Sequence, residues 1–337
     1  MTTEHFYLQP ATLDEAMEMA QANEHDFRFL AGGTDVWANR FQGNETASCL
    51  IDITGVGVLK DVKRIGNYLS IGSLVRLHEM NTHEAVRAEF PALITAANSV
   101  GSPLIRRTAT LGGNILCENR CIFYNQSAWW RDAVGLCLKC EGNICIATGS
   151  KKYCFSEFVS DTAPALISMD AMVEVVDRAG VRRIKLEDIY TGDGLRPRNL
   201  DKTALVLAIL LPLEQQFRSV FKKLRQRESL EFSSLTTAVS VNRYGKVKMA
   251  LGGVDPKPVV VEGTLESDRA ELIKQALKKA RAVDNDMYTR NYRREMIAVF
   301  LNRSFDALLP ARSATGLKTD GIFSAIGQGY FLKNEPC

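Results

Sequence analysis

The sequence contains no apolar run that approaches the roughly 20 residues a membrane-spanning helix needs. Its first residues, Met1 to Tyr7, lack a basic stretch followed by an apolar one, so we expect no signal peptide and a cytoplasmic location. Internal repeats and low-complexity tracts are also absent. What is left is an ordinary globular composition, and 337 residues are enough for two or three domains.

Charge of one sign is also scarce. The chain carries 42 Lys and Arg against 39 Asp and Glu, a net charge of +3. This balance argues against a broad nucleic-acid surface, and the one dense basic tract, residues 221–227, is interpreted as a solvated face or an anion contact. The four histidines show no metal-ligand spacing, and no Ser/His/Asp or Cys/His nucleophile arrangement occurs. We therefore predict no substrate chemistry on this chain.

Cysteine is plentiful and unevenly distributed. Cys49 is interpreted as a core residue of an apolar strand and Cys337 as exposed, whereas the other six of the eight share one stretch: Cys117, Cys121, Cys137, Cys140, Cys145 and Cys154. In a chain without an export signal, such clustering indicates a metal site or a thiol redox centre rather than disulfides. The spacing alone leaves open an iron–sulfur cluster, a zinc ion held by four thiolates, and reactive free thiols.

Hydrophobic periodicity predicts an N-terminal helix with a Thr12–Glu15 capping box, followed by a small βαβ-like unit. A domain boundary is expected near Pro212. The cysteine-rich stretch has neither helical nor strand periodicity and is predicted to be an insertion loop. The expected strands are 27–31, 49–53, 68–73, 172–177, 182–186, 204–211, 235–241 and 247–252, with a helix at 163–169 and more helices towards the C-terminus.

Two Gly-Gly pairs follow predicted strands or loops, in Ala31–Asp35 and in Thr110–Asn114. Glycine lets the backbone turn sharply, so successive N–H groups can converge on an anion. Two such segments would embrace a pyrophosphate from both sides. Neither contains G-x-G-x-x-G, which disfavours an ordinary Rossmann dinucleotide site. The alternative is that each pair simply forms a tight turn.

On these motifs the chain resembles the flavoprotein (medium) subunits of the xanthine oxidase family of molybdenum enzymes. Residues 31–35 and 105–115 are similar to the two FAD loops of that family, and 160–166 is similar to the segment whose Asp contacts the flavin nucleotide. Residues 221–227 are similar to the start of the family's C-terminal domain, with Lys223 near the isoalloxazine; Glu231 stands where Asp is common. The resemblance implies these FAD-binding residues: Ala31, Gly32, Gly33, Thr34, Asp35, Arg106, Thr110, Gly112, Gly113, Asn114, Asp161 and Lys223.

The fold implied by the resemblance is α+β. A two-part FAD-binding region of the vanillyl-alcohol oxidase (PCMH) type is expected in residues 1–213, with subdomains at about 1–55 and 56–213. A C-terminal α+β domain of the CO-dehydrogenase-flavoprotein type, an antiparallel sheet with helices, is expected in residues 214–337.

The cysteine stretch, an insertion at about 116–157, resembles that of the flavoprotein subunit of 4-hydroxybenzoyl-CoA reductases, which holds a [4Fe-4S] cluster. The resemblance implies the ligands Cys121, Cys137, Cys145 and Cys154. Cys140 is the main rival and Cys117 the second. Aromatic side chains of the stretch are expected to shield the cluster from water: Phe123, Trp129, Trp130 and Tyr153.

The resemblance implies an oxidoreductase subunit that carries electrons from a ferredoxin-like donor through a [4Fe-4S] cluster and FAD. The implied partners are a molybdopterin-binding large subunit and a small subunit with two [2Fe-2S] clusters, assembled as a dimer of heterotrimers. One alternative is a subunit of another aromatic or N-heterocycle hydroxylase of the xanthine dehydrogenase type. Another, without enzymatic function, is a flavin-binding module with a structural zinc loop.

Overall fold

The computed structural model of the chain describes residues 5–309, so the interpretation of Cys337 falls outside the described residues. Their strands are β1 (Phe6–Leu8), β2 (Phe27–Leu30), β3 (Cys49–Asp52), β4 (Val62–Ile65), β5 (Tyr68–Gly72), β6 (Met172–Asp177), β7 (Gly180–Lys185), β8 (Leu205–Pro212), β9 (Arg218–Leu224), β10 (Leu235–Val241), β11 (Lys246–Gly252) and β12 (Val259–Thr264).

The helices of the described residues are α1 (Leu13–Ala22), α2 (Val36–Phe41), α3 (Glu84–Glu89), α4 (Pro91–Asn98), α5 (Pro103–Arg106), α6 (Leu111–Ile115), α7 (Ala128–Val134), α8 (Thr162–Ser168), α9 (Arg269–Lys279) and α10 (Arg290–Leu308). Short 3₁₀ segments lie at Ile53–Gly55, Gly57–Lys60, Leu77–Thr82, Leu138–Cys140 and Leu186–Ile189. The predicted insertion loop therefore contains one short helix, α7, and one 3₁₀ turn.

The N-terminal unit is a parallel sheet of order β1-β3-β2 that shares a core with α1. The predicted capping box starts this helix: the Glu15 N–H donates to Thr12 Oγ1 at 3.2 Å, and the Thr12 N–H donates to Glu15 Oε2 at 3.3 Å. Cys49 in β3 is 1% exposed, which agrees with its interpretation as a core residue.

The next unit is an antiparallel sheet of order β4-β5-β8-β6-β7. Strand β8 lies at its centre, where Ile209 pairs with Ile71 on one side and with Val173 on the other. A central strand covered on both faces needs apolar side chains in succession, which explains the near-continuous apolar run of β8. The core beneath this sheet includes buried residues of α4 and α8.

The last unit is an antiparallel sheet of order β12-β11-β10-β9, packed against α9 and α10. Every residue of β10 is buried, because alternate side chains enter different cores. Val239 and Val241 pack in the core with α9 and α10, whereas Ala238 belongs to the core that contains α8. The last sheet is thus joined to the rest of the protein through one of its faces.

Polar contacts reinforce this junction. The Ser168 and Ser240 hydroxyls lie 2.7 Å apart, and buried Lys248 Nζ is 3.0 Å from Asp170 Oδ1 and 2.9 Å from Glu187 Oε1. Both parts of the chain mix helices and sheets, as the α+β expectation requires. No helix in residues 5–309 has both the length and the apolar character to cross a membrane.

Arg293 of α10 is completely buried. Its guanidinium donates to the carbonyl oxygens of Ser234, Val283 and Gly253 and lies 2.8 Å from Glu157 Oε1. Glu157 follows the cysteine-rich stretch, so this one side chain ties α10 to that stretch. A buried cation with a carboxylate partner is strongly destabilising to remove, because the partner groups lose their hydrogen bonds.

We predict that Arg293→Met lowers the free energy of unfolding by about 3–5 kcal/mol, because it leaves Glu157 and three carbonyl groups unpaired in the interior. Arg303→Met, on an exposed position of the same helix, should change it by less than about 0.5 kcal/mol. Urea denaturation followed by circular dichroism measures both. Equal transition midpoints for Arg293→Met and the parent protein would contradict this role of Arg293.

Candidate functional site

A cavity of about 700 Å³ lies where the glycine segments, the 195–206 segment and residues 230–232 meet. Its volume is within the range of cofactor sites. All of the predicted cofactor-binding residues except Arg106 and Lys223 line it: Ala31, Gly32, Gly33, Thr34, Asp35, Thr110, Gly112, Gly113, Asn114 and Asp161. Long-range folding therefore brings the two glycine segments to one space.

The first glycine segment connects β2 to α2 and needs glycine at two positions for different reasons. Gly33 has φ +70°, in the left-handed region that favours glycine. Gly32 has an ordinary φ, but a Cβ there would overlap the carbonyl oxygen of Thr108. The absence of that side chain lets the first segment pack directly on the backbone that leads into the second.

The second glycine segment is helical, so the expectation of a loop at Gly112-Gly113 is wrong. Thr110 caps α6, because its Oγ1 accepts the Gly113 N–H at 3.1 Å. Gly112 lies so close to Ser73 that an added Cβ would be 2.6 Å from the Ser73 Cβ. The glycines therefore serve close packing, and the local hydrogen bond of Thr110 selects a helix over a turn.

Asn114 connects α6 to α8. Its Oδ1 accepts hydrogen bonds from the Ser160 hydroxyl at 2.9 Å, the Thr162 hydroxyl at 2.6 Å and the Thr162 N–H at 3.1 Å. Three donors fix the orientation of this amide at the cavity wall. Asn114 thereby also fixes the backbone on both sides of Asp161.

Asp161 lines the cavity and forms a buried ion pair with Lys223, whose Nζ is 2.7 Å away. Ser233 donates its hydroxyl hydrogen to the other carboxylate oxygen. Burial raises the pKa of Asp161, while Lys223 and Ser233 act in the opposite direction. Asp161 occupies the N-cap position of α8, but its side chain accepts no N–H group of that helix.

Lys223 does not line the cavity. Its ammonium group donates to Asp161, to the Ser99 carbonyl at 2.9 Å and to the Glu231 carbonyl at 3.0 Å. An ammonium group has three hydrogens, and these acceptors use all of them. Lys223 therefore acts on the cavity through Asp161. Arg106 also lies outside the cavity lining, and its Nη1 donates to the Val100 carbonyl at 2.9 Å.

A charged cluster beside the cavity has no counterpart in the sequence analysis. Glu118 Oε1 is 2.6 Å from Arg28 Nη2 and is also paired with Arg198, and all three residues line the cavity. Burial alone would raise the pKa of Glu118, but Arg198 and Arg28 overcome it and lower the pKa to about 2. These residues lie 80 and 90 positions from Glu118, so no local motif indicates the cluster.

The same cluster connects the first glycine segment to the cysteine-rich stretch. Asp35 forms an ion pair with Arg120, the residue before Cys121, and accepts the Glu118 N–H at 3.0 Å. Both side chains of the ion pair are largely buried, at 13% and 21% exposure. This ion pair therefore connects the first glycine segment to the residue that precedes Cys121.

The stretch is closed at its base by a two-stranded neck. The Arg120 N–H donates to the Glu157 carbonyl at 2.9 Å, and the Glu157 N–H donates back at 2.7 Å. The five cysteines from Cys121 to Cys154 lie beyond this neck. Cys117 lies before it and lines the cavity. The neck therefore separates Cys117 from the other cysteines.

Among the described residues, every cysteine is a free thiol, and Cys137, Cys145 and Cys154 are buried. Burial is the main cause that raises the pKa of Cys121 to about 11, and the N–H groups of Phe123 and Tyr124 partly oppose it. The Phe155 N–H points to Cys145 Sγ at 3.5 Å. In residues 5–309, no three His, Cys, Asp or Glu side chains are grouped as metal ligands. Thiolates are the usual ligands of iron–sulfur clusters, and five cysteines of the described residues lie in this stretch beyond the neck.

The expected aromatic shield is only partly present. Phe123 and Trp130 pack with ring centroids 6.5 Å apart. Trp129 and Tyr153 are 77% and 54% exposed, so most of each side chain faces solvent. Trp37 lies beside Gly33 and is 43% exposed.

Comparison with known proteins gives this geometry a context. Residues 2–214 match the family described as FAD binding domain in molybdopterin dehydrogenase. The chain is 32% identical over 244 residues to the aldehyde oxidoreductase FAD-binding subunit PaoB of Escherichia coli K12, covering 70% of this chain and 77% of that one. It is 26% identical over 238 residues to the nicotinate dehydrogenase FAD-subunit of Eubacterium barkeri, covering 70% and 68%.

Solved structures agree in fold. A chain of the Cu,Mo-CO dehydrogenase crystal structure superposes with a TM-score of 0.72 at 19% identity, covering 90% of this chain and 96% of that one. A chain of quinoline 2-oxidoreductase from Pseudomonas putida 86 gives 0.67 at 17% identity, with 89% and 95% covered. The predicted α+β fold class is thereby confirmed.

We predict that Gly32→Ala removes most of the bound FAD, by at least about tenfold in the FAD-to-protein ratio, because overpacking against a backbone carbonyl costs about 1–3 kcal/mol. Gly57→Ala is the control, since a Cβ at residue 57 meets no atom within 4 Å. Absorbance at 450 nm after desalting measures the ratio. Full FAD content in Gly32→Ala would contradict the role of this close approach.

Proposed function

The chain belongs to the family of FAD-binding medium subunits of xanthine oxidase-type molybdenum enzymes, and from this premise we propose that it is an electron-transfer subunit with one FAD and one [4Fe-4S] cluster. When bound, FAD exchanges two electrons and the cluster exchanges one, so the pair converts between one- and two-electron partners. The chain itself supplies binding, orientation and electrostatics.

The cavity residues are proposed to hold FAD. The first glycine segment is proposed to offer backbone N–H groups to the phosphates, and Thr34 and Thr110 their hydroxyls. The N–H groups of Gly112 and Gly113 already donate to Ser73 and Thr110. Asp161, oriented by Lys223 and Ser233, presents a fixed carboxylate to hydroxyl groups of the nucleotide. Lys223 is proposed as a positioning residue, because all of its donors are already used.

Cys121, Cys137, Cys145 and Cys154 are proposed as the cluster ligands. Four thiolates match a cubane, with one ligand for each iron. Three of these cysteines are buried and all four lie beyond the neck, whereas Cys117 lies on the cavity side. Cys140 is the remaining rival, and its N–H donates to the Cys137 carbonyl at 2.8 Å within one 3₁₀ turn.

The observation that carries this proposal is the Asp35–Arg120 ion pair. It joins the first glycine segment to the residue before Cys121, so the two proposed cofactors are held by one buried polar cluster. A merely structural zinc loop would not require such a connection to the flavin cavity.

For the whole complex we propose a large molybdopterin subunit and a small subunit with two [2Fe-2S] clusters, arranged as a dimer of heterotrimers. In a complex of the 4-hydroxybenzoyl-CoA reductase type, electrons enter this chain from a ferredoxin-like donor and continue to the small subunit. The rival is an oxidative complex, in which electrons leave through this chain. The 32% identity to an aldehyde oxidoreductase subunit favours that rival.

Activity assays distinguish the reductase type of complex from the oxidative type. The purified complex should reduce 4-hydroxybenzoyl-CoA with reduced ferredoxin in the first case. In the second it should oxidise an aromatic aldehyde or an N-heterocycle with an artificial electron acceptor. Aldehyde oxidation without any reduction of the thioester would overturn the reductase assignment.

We predict about four irons and four acid-labile sulfides per FAD in this chain when it is purified without oxygen and without the proposed [2Fe-2S] subunit, since a cubane has one iron per thiolate. Metal analysis by mass spectrometry and a sulfide assay measure the ratio. One zinc per FAD without iron would instead establish the structural zinc loop.

We predict that single Ser variants of Cys121, Cys137, Cys145 and Cys154 lose most of the iron, because each removes a thiolate ligand. Cys140→Ser and Cys49→Ala should retain it. Iron content and the electron paramagnetic resonance signal of the reduced cluster are the measurements. Loss of iron in Cys140→Ser with retention in Cys137→Ser would mean that Cys140, and not Cys137, is the fourth ligand.

A further inference from the structure

A second depression of about 920 Å³ lies between the cysteine-rich stretch and the C-terminal helices. One wall is formed by residues of the stretch between and beside Cys145 and Cys154. The other wall is formed by the end of α9, the beginning of α10 and their connection. We call this depression the basic groove, and its lining residues are Ala147, Thr148, Ser150, Tyr153, Phe155, Lys278, Ala280, Arg281, Ala282, Val283, Arg290, Asn291 and Arg294.

The basic groove is lined by four cationic side chains and by no carboxylate. Arg281 is paired with Asp255, at 2.7 and 3.0 Å. Lys278 and Arg290 are exposed, and neither has an ion-pair partner within residues 5–309. This excess contrasts with the nearly balanced charge of the whole chain.

The positive surface is held in place. The Arg294 guanidinium donates to the Ala280 carbonyl at 2.8 Å and to the Leu277 carbonyl at 3.0 Å, at the end of α9. The Arg281 guanidinium lies 5.1 Å above the Phe155 ring. Fixed cations lose little side-chain entropy when a partner binds, so more of the Coulomb energy is available for association.

The floor of the groove is adjacent to the cysteines. Tyr153 and Phe155 flank Cys154 in sequence, and both line the groove, with Tyr153 54% exposed. Cys154 and Cys145 are buried immediately behind this lining, and the Phe155 N–H contacts Cys145 Sγ. A molecule bound in the groove would therefore contact residues that directly adjoin Cys154 and Cys145, two of the proposed cluster ligands.

We propose that the basic groove is the docking surface for an acidic one-electron carrier protein. This inference rests on the proposed function, because the site of electron exchange is the cluster held by the cysteine-rich stretch. In the exchange one electron passes between carrier and cluster: one is oxidised by one electron, the other is reduced by one, and no proton or covalent bond is transferred. The groove serves either direction of flow.

Charge complementarity selects this occupant. The free cations are exposed at the rim, and Lys151 and Lys152 extend the positive surface along the cysteine-rich stretch. Asp284 on the α9–α10 connection is an exposed carboxylate whose Oδ1 accepts the Arg290 N–H at 2.6 Å, but the cations of the rim outnumber it. A rim with this net positive charge suits a carboxylate-rich protein face, because opposite potentials steer encounter and orient the partner. A second copy of this chain would bring the same positive face and be repelled.

The test is a double charge reversal, Lys278→Glu with Arg290→Glu, in the complete complex. The control is Lys60→Glu with Lys185→Glu, which changes the net charge by the same amount. Both control residues are exposed and lie away from the groove, Lys60 just before β4 and Lys185 at the end of β7. The probe is a plant-type [2Fe-2S] ferredoxin. Binding is measured by calorimetry at about 0.05 M and about 0.5 M salt, because screening at high salt weakens exposed charge contacts.

We expect the groove variant to raise the ferredoxin Kd at low salt by at least about tenfold and to lose most of its salt dependence, with the control unchanged. The rate of electron exchange with reduced ferredoxin, followed by stopped flow, should fall in parallel. Equal weakening in both variants would mean an effect of net charge alone and would overturn the proposal. Unchanged binding in the groove variant would overturn it as well.

The ferredoxin-binding experiment can fail or succeed independently of the test for the proposed iron–sulfur cluster. Binding depends on the charges of the groove and is measurable without a cluster, whereas the cluster is established by iron and sulfide content. Iron-free protein that still binds ferredoxin through the groove would refute the proposed cluster but not the docking surface. Iron-loaded protein that binds elsewhere would refute only the docking surface.

Discussion

The buried ion pair between Asp35 and Arg120 is the contact on which the arrangement of the site depends. One partner belongs to the glycine segment after β2 and the other begins the neck of the cysteine-rich stretch. Glu118 adds its N–H to Asp35 and its carboxylate to Arg28 and Arg198. Such a cluster is stable only as a whole, because removal of one member leaves an uncompensated charge in the interior. It couples the shape of the cofactor cavity to the anchoring of the stretch.

Local sequence patterns predicted the parts of the structure that local forces determine. The strands Met172–Asp177 and Leu235–Val241 follow from apolar and β-branched runs, and the first helix follows from its capping box. Both glycine pairs line the cavity, although Gly112 serves close packing with Ser73 inside a helix. At this second pair the hydrogen bond from the Gly113 N–H to Thr110 Oγ1 favours a helix, and the sequence pattern alone does not distinguish a helix from a loop.

Contacts between distant residues were not predictable in the same way. The Glu118 cluster joins residues far apart in the chain, and no spacing rule connects Arg28 or Arg198 to it. The resemblance implies that Lys223 lies near the isoalloxazine. In the structure its ammonium group donates all three hydrogens to Asp161 and to the carbonyl oxygens of Ser99 and Glu231. The clustering of cysteines predicts an insertion with a metal site or a thiol redox centre. It does not predict the neck that separates Cys117 from the others, because that neck depends on the pairing of Arg120 with Glu157.

The position of Lys223 has a consequence for how the protein is assembled. It lies on β9, in the sheet packed against α9 and α10, while Asp161 begins α8 beneath the other large sheet. A ligand that binds only when Asp161 is correctly oriented must also favour the docked state of these two layers, by thermodynamic linkage. Bound cofactor would therefore raise the free energy needed to separate the two layers, and the same separation would cost less in the cofactor-free chain.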